Sequence, residues 1–231
     1  MTNRSLIESL RGGLIVSCQA PAGSPLHDPY VIARMALTAE LNGAVGVRID
    51  SPGHIAATRA LVSLPIIGIH KVVRPGSDVY ITPVFDDASG VAAAGAEIIA
   101  VDATDRPRPD GGDVPSLIRR IADDLRLPVM ADIATFDEGL RAADCGAALV
   151  ATTLCGYTAG TRGASLPAIG LVEKLASKLS IPVICEGGVS SPEQLQMALD
   201  AGAHAVVVGG AITGIDQLVR KFAPVVQKKT D

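Results

Sequence analysis

Short apolar runs alternate along the chain with longer Ala- and Leu-rich segments, and the two periods predict two kinds of element. LIVSC (14–18), VGVRI (45–49), IIGIHK (66–71), IIAVDA (98–103), VMADI (129–133), ALVATT (148–153), VICE (183–186) and AVVVG (205–209) read as strands buried on both faces. Helical period spans 29–42, 52–62, 86–95, 114–126, 135–145, 165–180, 191–201 and 214–227. Pro29 suits a first helical turn, as does Pro192 after Ser191. Gly43-Ala44, Gly95-Ala96, Gly146-Ala147 and Gly202-Ala203 follow helices, where glycine closes the last turn in a left-handed conformation. Pro65, Pro128 and Pro182 stop helices and lead into strands.

Strict alternation implies a parallel sheet with helical crossovers. Eight such units, with no Pro/Gly/Ser linker or shift in composition, predict an α/β fold: a single (β/α)8 TIM barrel forming one catalytic domain over 1–231. VYITPV (79–84) reads as part of a long loop after the third strand, not as a ninth barrel strand. An open doubly wound sheet is the alternative. It would want GxGxxG after its first strand, and SCQAPAGSP (17–25) is not that pattern.

A barrel places its site at the C-terminal ends of the strands. The polar residues there are Gln19, Arg48, Lys71, Asp102, Asp132, Thr152 with Thr153, and Glu186, and the eighth strand ends in Gly209-Gly210. Gln19, Lys71, Asp132 and Glu186 all sit on odd-numbered strands and are expected in one polar layer. The third and seventh strands face each other, so Lys71 and Glu186 flank a ligand. The competing reading, a buried ion-pair network without chemistry, is a poor stability device. Gly187-Gly188 and Gly209-Gly210 occupy the loops that commonly bind phosphate in such barrels, where backbone N–H groups approach an anion closely. The Gly-rich loop 155–167, with Tyr157 and Arg162, reads as a lid or as a plain connection.

Composition narrows the classes. With 48% hydrophobic residues, 3% aromatics and no Trp, the core is built from small aliphatics. A net charge of −4 and few aromatics argue against a nucleic-acid partner. MTNRSLIESLRGG is too polar for a signal peptide, and no run reaches the roughly 18 apolar residues of a membrane span. Cys18, Cys145, Cys155 and Cys185 lack CxxC spacing and suggest buried free thiols in the cytoplasm. His27, His54 and His204 fall in loops or helix ends and are expected at the surface. His70 adjoins Lys71 on one strand, so only one of them points inward. His70, Asp102 and Asp132, near strand ends, are residue types that bind a divalent metal and are the basis of a metal-dependent reading.

IVSCQA, VRI, IIGIHK, SDVYITP, IIAVDAT, VMADIATFDEG, ATTLCGYT, CEGG and AVVVGGAIT, in order from about residue 13 to 213, resemble the motifs of the N-acetylmannosamine-6-phosphate 2-epimerase family. The resemblance implies a (β/α)8 barrel that interconverts N-acetylmannosamine 6-phosphate and N-acetylglucosamine 6-phosphate with no metal and no cofactor, in sialic acid catabolism. An amino-sugar phosphate is then the partner, and a homodimer is the candidate assembly. It also implies that Lys71 and Glu186 are catalytic and that Gln19, Arg48 and Asp132 bind substrate. Thr153 and Tyr157 join the substrate-binding set from the end of the sixth strand and the loop after it. Gly188 and Gly214 stand where the family usually has Arg, and VRIDSPGHI departs from its usual continuation. These departures leave open a different or unphosphorylated sugar, or a non-catalytic sugar-phosphate binding protein; a metal-dependent sugar-phosphate epimerase using His70, Asp102 and Asp132 is the further alternative.

Epimerisation at C2 of an N-acyl amino sugar needs an open-chain carbonyl at C1, removal of the C2 proton and its return to the other face. A lysine base must be neutral, against an ordinary pKa of about 10.4. Burial and Arg48 lower that value, and Glu186 opposes them. Lys71 is therefore expected to move the proton and Glu186 to serve ring opening or reprotonation. Arg48 and Gln19 are expected to stabilise the developing negative charge or place the N-acetyl group.

Overall fold

Eight parallel strands close on themselves in chain order, so β3 and β7 face each other across the barrel. They are β1 (Leu14–Cys18), β2 (Gly46–Asp50), β3 (Ile66–Ile69), β4 (Ile98–Asp102), β5 (Val129–Asp132), β6 (Leu149–Ala151), β7 (Val183–Glu186) and β8 (Ala205–Val208). This computed structural model describes residues 2–226. The register sets Ser17 beside Arg48, Asp102 beside Asp132, and Glu186 beside Val207. The outer ring comprises α2 (Pro29–Leu41), α3 (Pro52–Arg59), α4 (Phe85–Ala93), α5 (Val114–Arg120), α6 (Phe136–Asp144), α7 (Ile169–Lys178), α8 (Pro192–Asp200) and α9 (Ile215–Phe222). Position 227 of the last predicted helix lies outside the described residues.

Strand alternation divides the apolar side chains between two cores. Ile15, Ile67, Ile98, Met130, Leu149 and Ile184 fill the barrel. Val47, Ile49, Ile99, Val101 and Val150 pack outward beneath the helices. Asp28 and Ser191 cap α2 and α8, each followed by proline in the first turn. The four Gly-Ala pairs close helices as predicted, with glycine φ between +92° and +101°.

Three features differ from the sequence reading. The polar N-terminus forms a further helix, α1 (Asn3–Glu8), and Leu6 on it and Leu10 just after it join the inner core at the bottom of the barrel. His204 and His54 are buried, not at the surface. His204 Nε2 meets the Ile7 carbonyl at 2.9 Å and His54 Nδ1 the Asp50 carbonyl at 3.0 Å, so each ring is held by a carbonyl at the end of a helix or strand. His27 is exposed, with its ring edge against His54. The predicted helix over 114–126 is α-helical only to Arg120, winds as a π-helix over 121–125, and stops at Arg126 with φ +58°.

The segment 79–84 is a flap on the mouth of the barrel. It folds back on β3, pairing Ile81 with Lys71 in an antiparallel bridge, and the Asp102 N–H donates to the Ile81 carbonyl at 2.9 Å. Thr82 adopts φ +44°, a conformation that costs a β-branched residue about 1–3 kcal/mol. The Thr82 N–H donates to the His70 carbonyl at 2.8 Å, and Thr82 Oγ1 accepts the His70 N–H at 3.1 Å. The strain therefore serves to fold the flap over the end of β3.

Candidate active site

The C-terminal mouth gathers the polar residues into two groups. Arg48, rising from β2, is 1% exposed and forks onto Asp132 of β5, with Nη2–Oδ2 at 2.5 Å and Nη1–Oδ1 at 3.2 Å. Its Nη1 also donates to Glu186 of β7. Thr153, just past β6, places its hydroxyl 2.7 Å from Asp132 Oδ1 and 3.1 Å from Glu186 Oε2. Thr152 steadies the end of β7: its hydroxyl donates to the Glu186 carbonyl at 2.9 Å and accepts the Glu186 N–H at 3.1 Å. The second group is Lys71, whose ammonium donates to Gln19 Oε1, while Gln19 Nε2 donates to Ser17 Oγ at 2.8 Å.

The expected odd-strand layer is thus only partly right. Asp132 and Glu186 are held together by Arg48 and Thr153 from the second and sixth units, because the barrel's stagger brings even-strand ends to the same depth. Asp50 and Tyr80 were not anticipated. Asp50 points inward two residues after Arg48 and accepts the Lys71 N–H at 2.9 Å, fixing the lysine's backbone. The inward period of β2 carries a signal for Asp50. Tyr80 packs against the inner core from the flap, a placement that local periodicity does not encode.

Burial and neighbouring charges move these groups from their ordinary pKa values. Lys71 opens to the solvent of the mouth, yet the surrounding walls hold its ammonium below the usual lysine pKa. Burial is the main cause; Asp50 opposes it and Arg48 reinforces it. Burial pushes Glu186 and Asp132 upward, against the pull of Arg48. For Arg48, burial is outweighed by the two carboxylates, which hold it above its ordinary value. Burial also pushes the thiols of Cys18 and Cys185 up to about 12 and about 11, which removes them as nucleophiles near neutral pH.

His70 turns outward, its Nδ1 3.4 Å from Asp87 on α4. Asp102 is claimed by its own loop: Thr104 donates to it at 2.7 Å and Arg106 at 2.5 Å. The side chains suggested for a metal set therefore do not converge.

Gly187 and Gly188 follow Glu186 in left-handed conformations, at φ +106° and +74°. Among the described residues, the N–H groups of Gly187, Gly188, Gly210 and Ala211 meet no acceptor. The exposed ring of Tyr157 comes within 3.8 Å of the place a Gly187 Cβ would take. A Cβ on Gly188 would lie 2.5 Å from the Leu166 Cβ, and one on Gly214 2.6 Å from the Gly210 carbonyl oxygen. These loops are shaped around their glycines, and the backbone as it stands leaves no room for the arginines usual in the family.

A closed (β/α)8 barrel with a lysine, an arginine, a buried carboxylate and a half-buried one at its C-terminal mouth defines an acid–base enzyme. The chain belongs to the N-acetylmannosamine-6-phosphate 2-epimerase family: the NanE family model, described as "Putative N-acetylmannosamine-6-phosphate epimerase", matches residues 32–228. A relative from Synechococcus elongatus named "Putative N-acetylmannosamine-6-phosphate 2-epimerase" is 51% identical over 224 residues, covering 96% of this chain and 97% of its own. A relative of the same name from Thermosynechococcus vestitus is 50% identical over 227 residues, covering 98% and 99%. The solved structure of the N-acetylmannosamine-6-phosphate 2-epimerase from Clostridium perfringens superposes with a TM-score of 0.91 at 39% identity, over 96% of each chain.

Proposed function

We propose that this protein interconverts N-acetylmannosamine 6-phosphate and N-acetylglucosamine 6-phosphate by moving the C2 proton. One observation carries the reading: the Lys71 ammonium turns into the mouth, onto Gln19, from the wall opposite Glu186. Neutral Lys71 takes the C2 proton of the open-chain sugar. The electron pair passes to the C1 carbonyl oxygen, and the Arg48 guanidinium and the Gln19 amide stabilise the enolate. Glu186 in its acid form stands on the far wall to serve ring opening or reprotonation. With Arg48 charged and Asp132 ionised, the pair Lys71-NH3+/Glu186-COO− and the pair Lys71-NH2/Glu186-COOH carry the same total charge. They differ only in where one proton sits. Burial favours the second pair, the one this chemistry requires.

The unclaimed N–H groups of Gly187, Gly188, Gly210 and Ala211 support a phosphate site made of backbone, in place of the family's arginines. Tyr157 faces the same mouth as a substrate-binding residue, whereas the Thr153 hydroxyl is spent on Asp132 and Glu186. In D2O, N-acetylmannosamine 6-phosphate is expected to exchange its C2 proton for deuterium and to yield the N-acetylglucosamine epimer, as read by NMR. The unphosphorylated sugar should exchange at least tenfold more slowly at equal concentration. Equal rates for the two sugars would remove the phosphate from the reading.

The candidate homodimer has support on α9. Ile215, Val219 and Phe222 of that helix, with Val225 and Val226 after it, are all exposed. Beside them a cavity of about 540 Å3 opens between α2 and α9, lined by Tyr30, Met35, Ile212 and Ile215. A contiguous apolar face of this kind marks an interaction surface. Light scattering is expected to give about twice the 23.6 kDa chain mass, and Phe222→Glu to return it to one chain mass. A monomeric parent protein would dismiss the dimer. Among the described residues no helix is long and apolar enough to cross a membrane, and the four free cysteines support a cytoplasmic setting.

A further inference from the structure

Thr153 has one hydroxyl proton and meets two carboxylates. Its Oγ1 lies 2.7 Å from Asp132 Oδ1, 3.1 Å from Glu186 Oε2 and 3.4 Å from Arg48 Nη1. A threonine hydroxyl supplies one donor and two acceptor lone pairs, so it cannot donate to both acids at once. The shorter contact is to Asp132, whose other oxygen is fixed by Arg48 Nη2 at 2.5 Å. With the hydroxyl proton committed there, an ionised Glu186 would press an oxygen lone pair against another lone pair. A protonated Glu186 instead donates from Oε2 to Thr153 while the same oxygen still accepts from Arg48 Nη1, and every contact of the Thr153 hydroxyl is satisfied. We propose that Thr153 is a positioning residue that holds the proton on Glu186, its hydroxyl donating to Asp132 while accepting from the Glu186 carboxylic acid.

This deepens the epimerase reading and rests on it. The charged groups around Glu186 are Arg48 from β2, Lys71 from β3 and Asp132 from β5, with Asp50 behind Lys71 and Asp102 behind Asp132. None of them supplies an acceptor for a Glu186 O–H that Arg48 does not already hold; Thr153 does. Its role is therefore to bias the Lys71–Glu186 pair toward the neutral form in which the lysine is a base and the glutamic acid a proton donor. The direction of the burial effect on Glu186 agrees with this geometry.

Thr153→Val removes the hydroxyl, with Thr153→Ala as the second variant should valine disturb folding. In either, kcat is expected to fall at least tenfold with KM changed less than about twofold. The acid limb of the kcat profile should move to lower pH, with about tenfold in kcat lost for each pH unit that the limb moves. Thr153→Ser should restore both. A raised KM with an unmoved limb would make Thr153 a substrate contact only, and a limb moved to higher pH would show the hydroxyl donating to ionised Glu186; either result overturns the proposal. A second readout needs no turnover: the infrared carboxylic-acid C=O band of the substrate-free protein, assigned by its loss in Glu186→Gln. That band should titrate at higher pH in the parent protein than in Thr153→Val, and identical titrations overturn the proposal. A parent protein that exchanges no C2 proton would instead sink the epimerase reading and leave the infrared comparison standing.

Discussion

Lys71→Ala is expected to lose C2 proton exchange by about 10³–10⁴-fold, or about 4–5 kcal/mol of barrier, while keeping the fold. The loss is large because no other amine contacts Gln19 in the mouth among the described residues. The fold persists because what Lys71 gives to structure is backbone: its N–H on Asp50 at 2.9 Å and the bridge to Ile81. Alanine keeps both. The variant also changes how stability depends on pH. The folded lysine sits below its unfolded pKa, so between the two values the unfolded chain binds more protons and stability rises with pH. Below the folded pKa the cost of the buried charge is fully present, and removing the ammonium relieves it. Urea unfolding at neutral pH should thus find Lys71→Ala no less stable than the parent, with a flatter alkaline profile. Deuterium exchange at C2 at the parent rate would rule Lys71 out as the base.

The barrel was legible in the chain because each of its units repeats the same local statement: a buried strand, a helix, and glycine or proline at the joint. Side chains at strand ends were legible for the same reason, since the period of two settles which residue faces inward. That rule separated Lys71 from His70. What it misses is depth. Sequence parity put Gln19, Lys71, Asp132 and Glu186 in one layer, yet stagger around the barrel inserts Arg48 between the two acids. Tyr80 and the strained Thr82 were illegible because a flap's docking depends on contacts with β3 and β4, not on its own pattern. Helix α1 is six residues with one buried position, too short for periodicity to register. The histidines failed for a related reason: their burial is decided by the carbonyls of Ile7 and Asp50, not by polarity.

Arg48→Met is expected to cost about 3–5 kcal/mol of stability at neutral pH and to lower kcat by about 10²–10³-fold. The methionine fills most of the space, so the cost is electrostatic. Asp132 is fully buried and loses both of its guanidinium hydrogen bonds, and Glu186 loses one. Both carboxyls already lie above their ordinary pKa through burial, and Arg48 is the group that pulls them back down. Without it the folded values climb further. A carboxyl whose folded pKa exceeds its unfolded one destabilises the fold above the folded value and not below the unfolded one. The deficit of Arg48→Met relative to the parent should therefore be greatest at neutral pH and shrink as pH falls toward about 4, near the unfolded carboxyl values. Denaturant midpoints measured between those limits test this, and adding Asp132→Asn should recover part of the loss at neutral pH. A deficit independent of pH would mean that the arginine acts through packing alone. The wild-type site argues against packing: buried Arg48 Nε finds no acceptor among the described residues, at a cost of about 1–3 kcal/mol. A network assembled for stability would have satisfied that donor, whereas this one aims the Nη edge at two acids and leaves Nε unpaired.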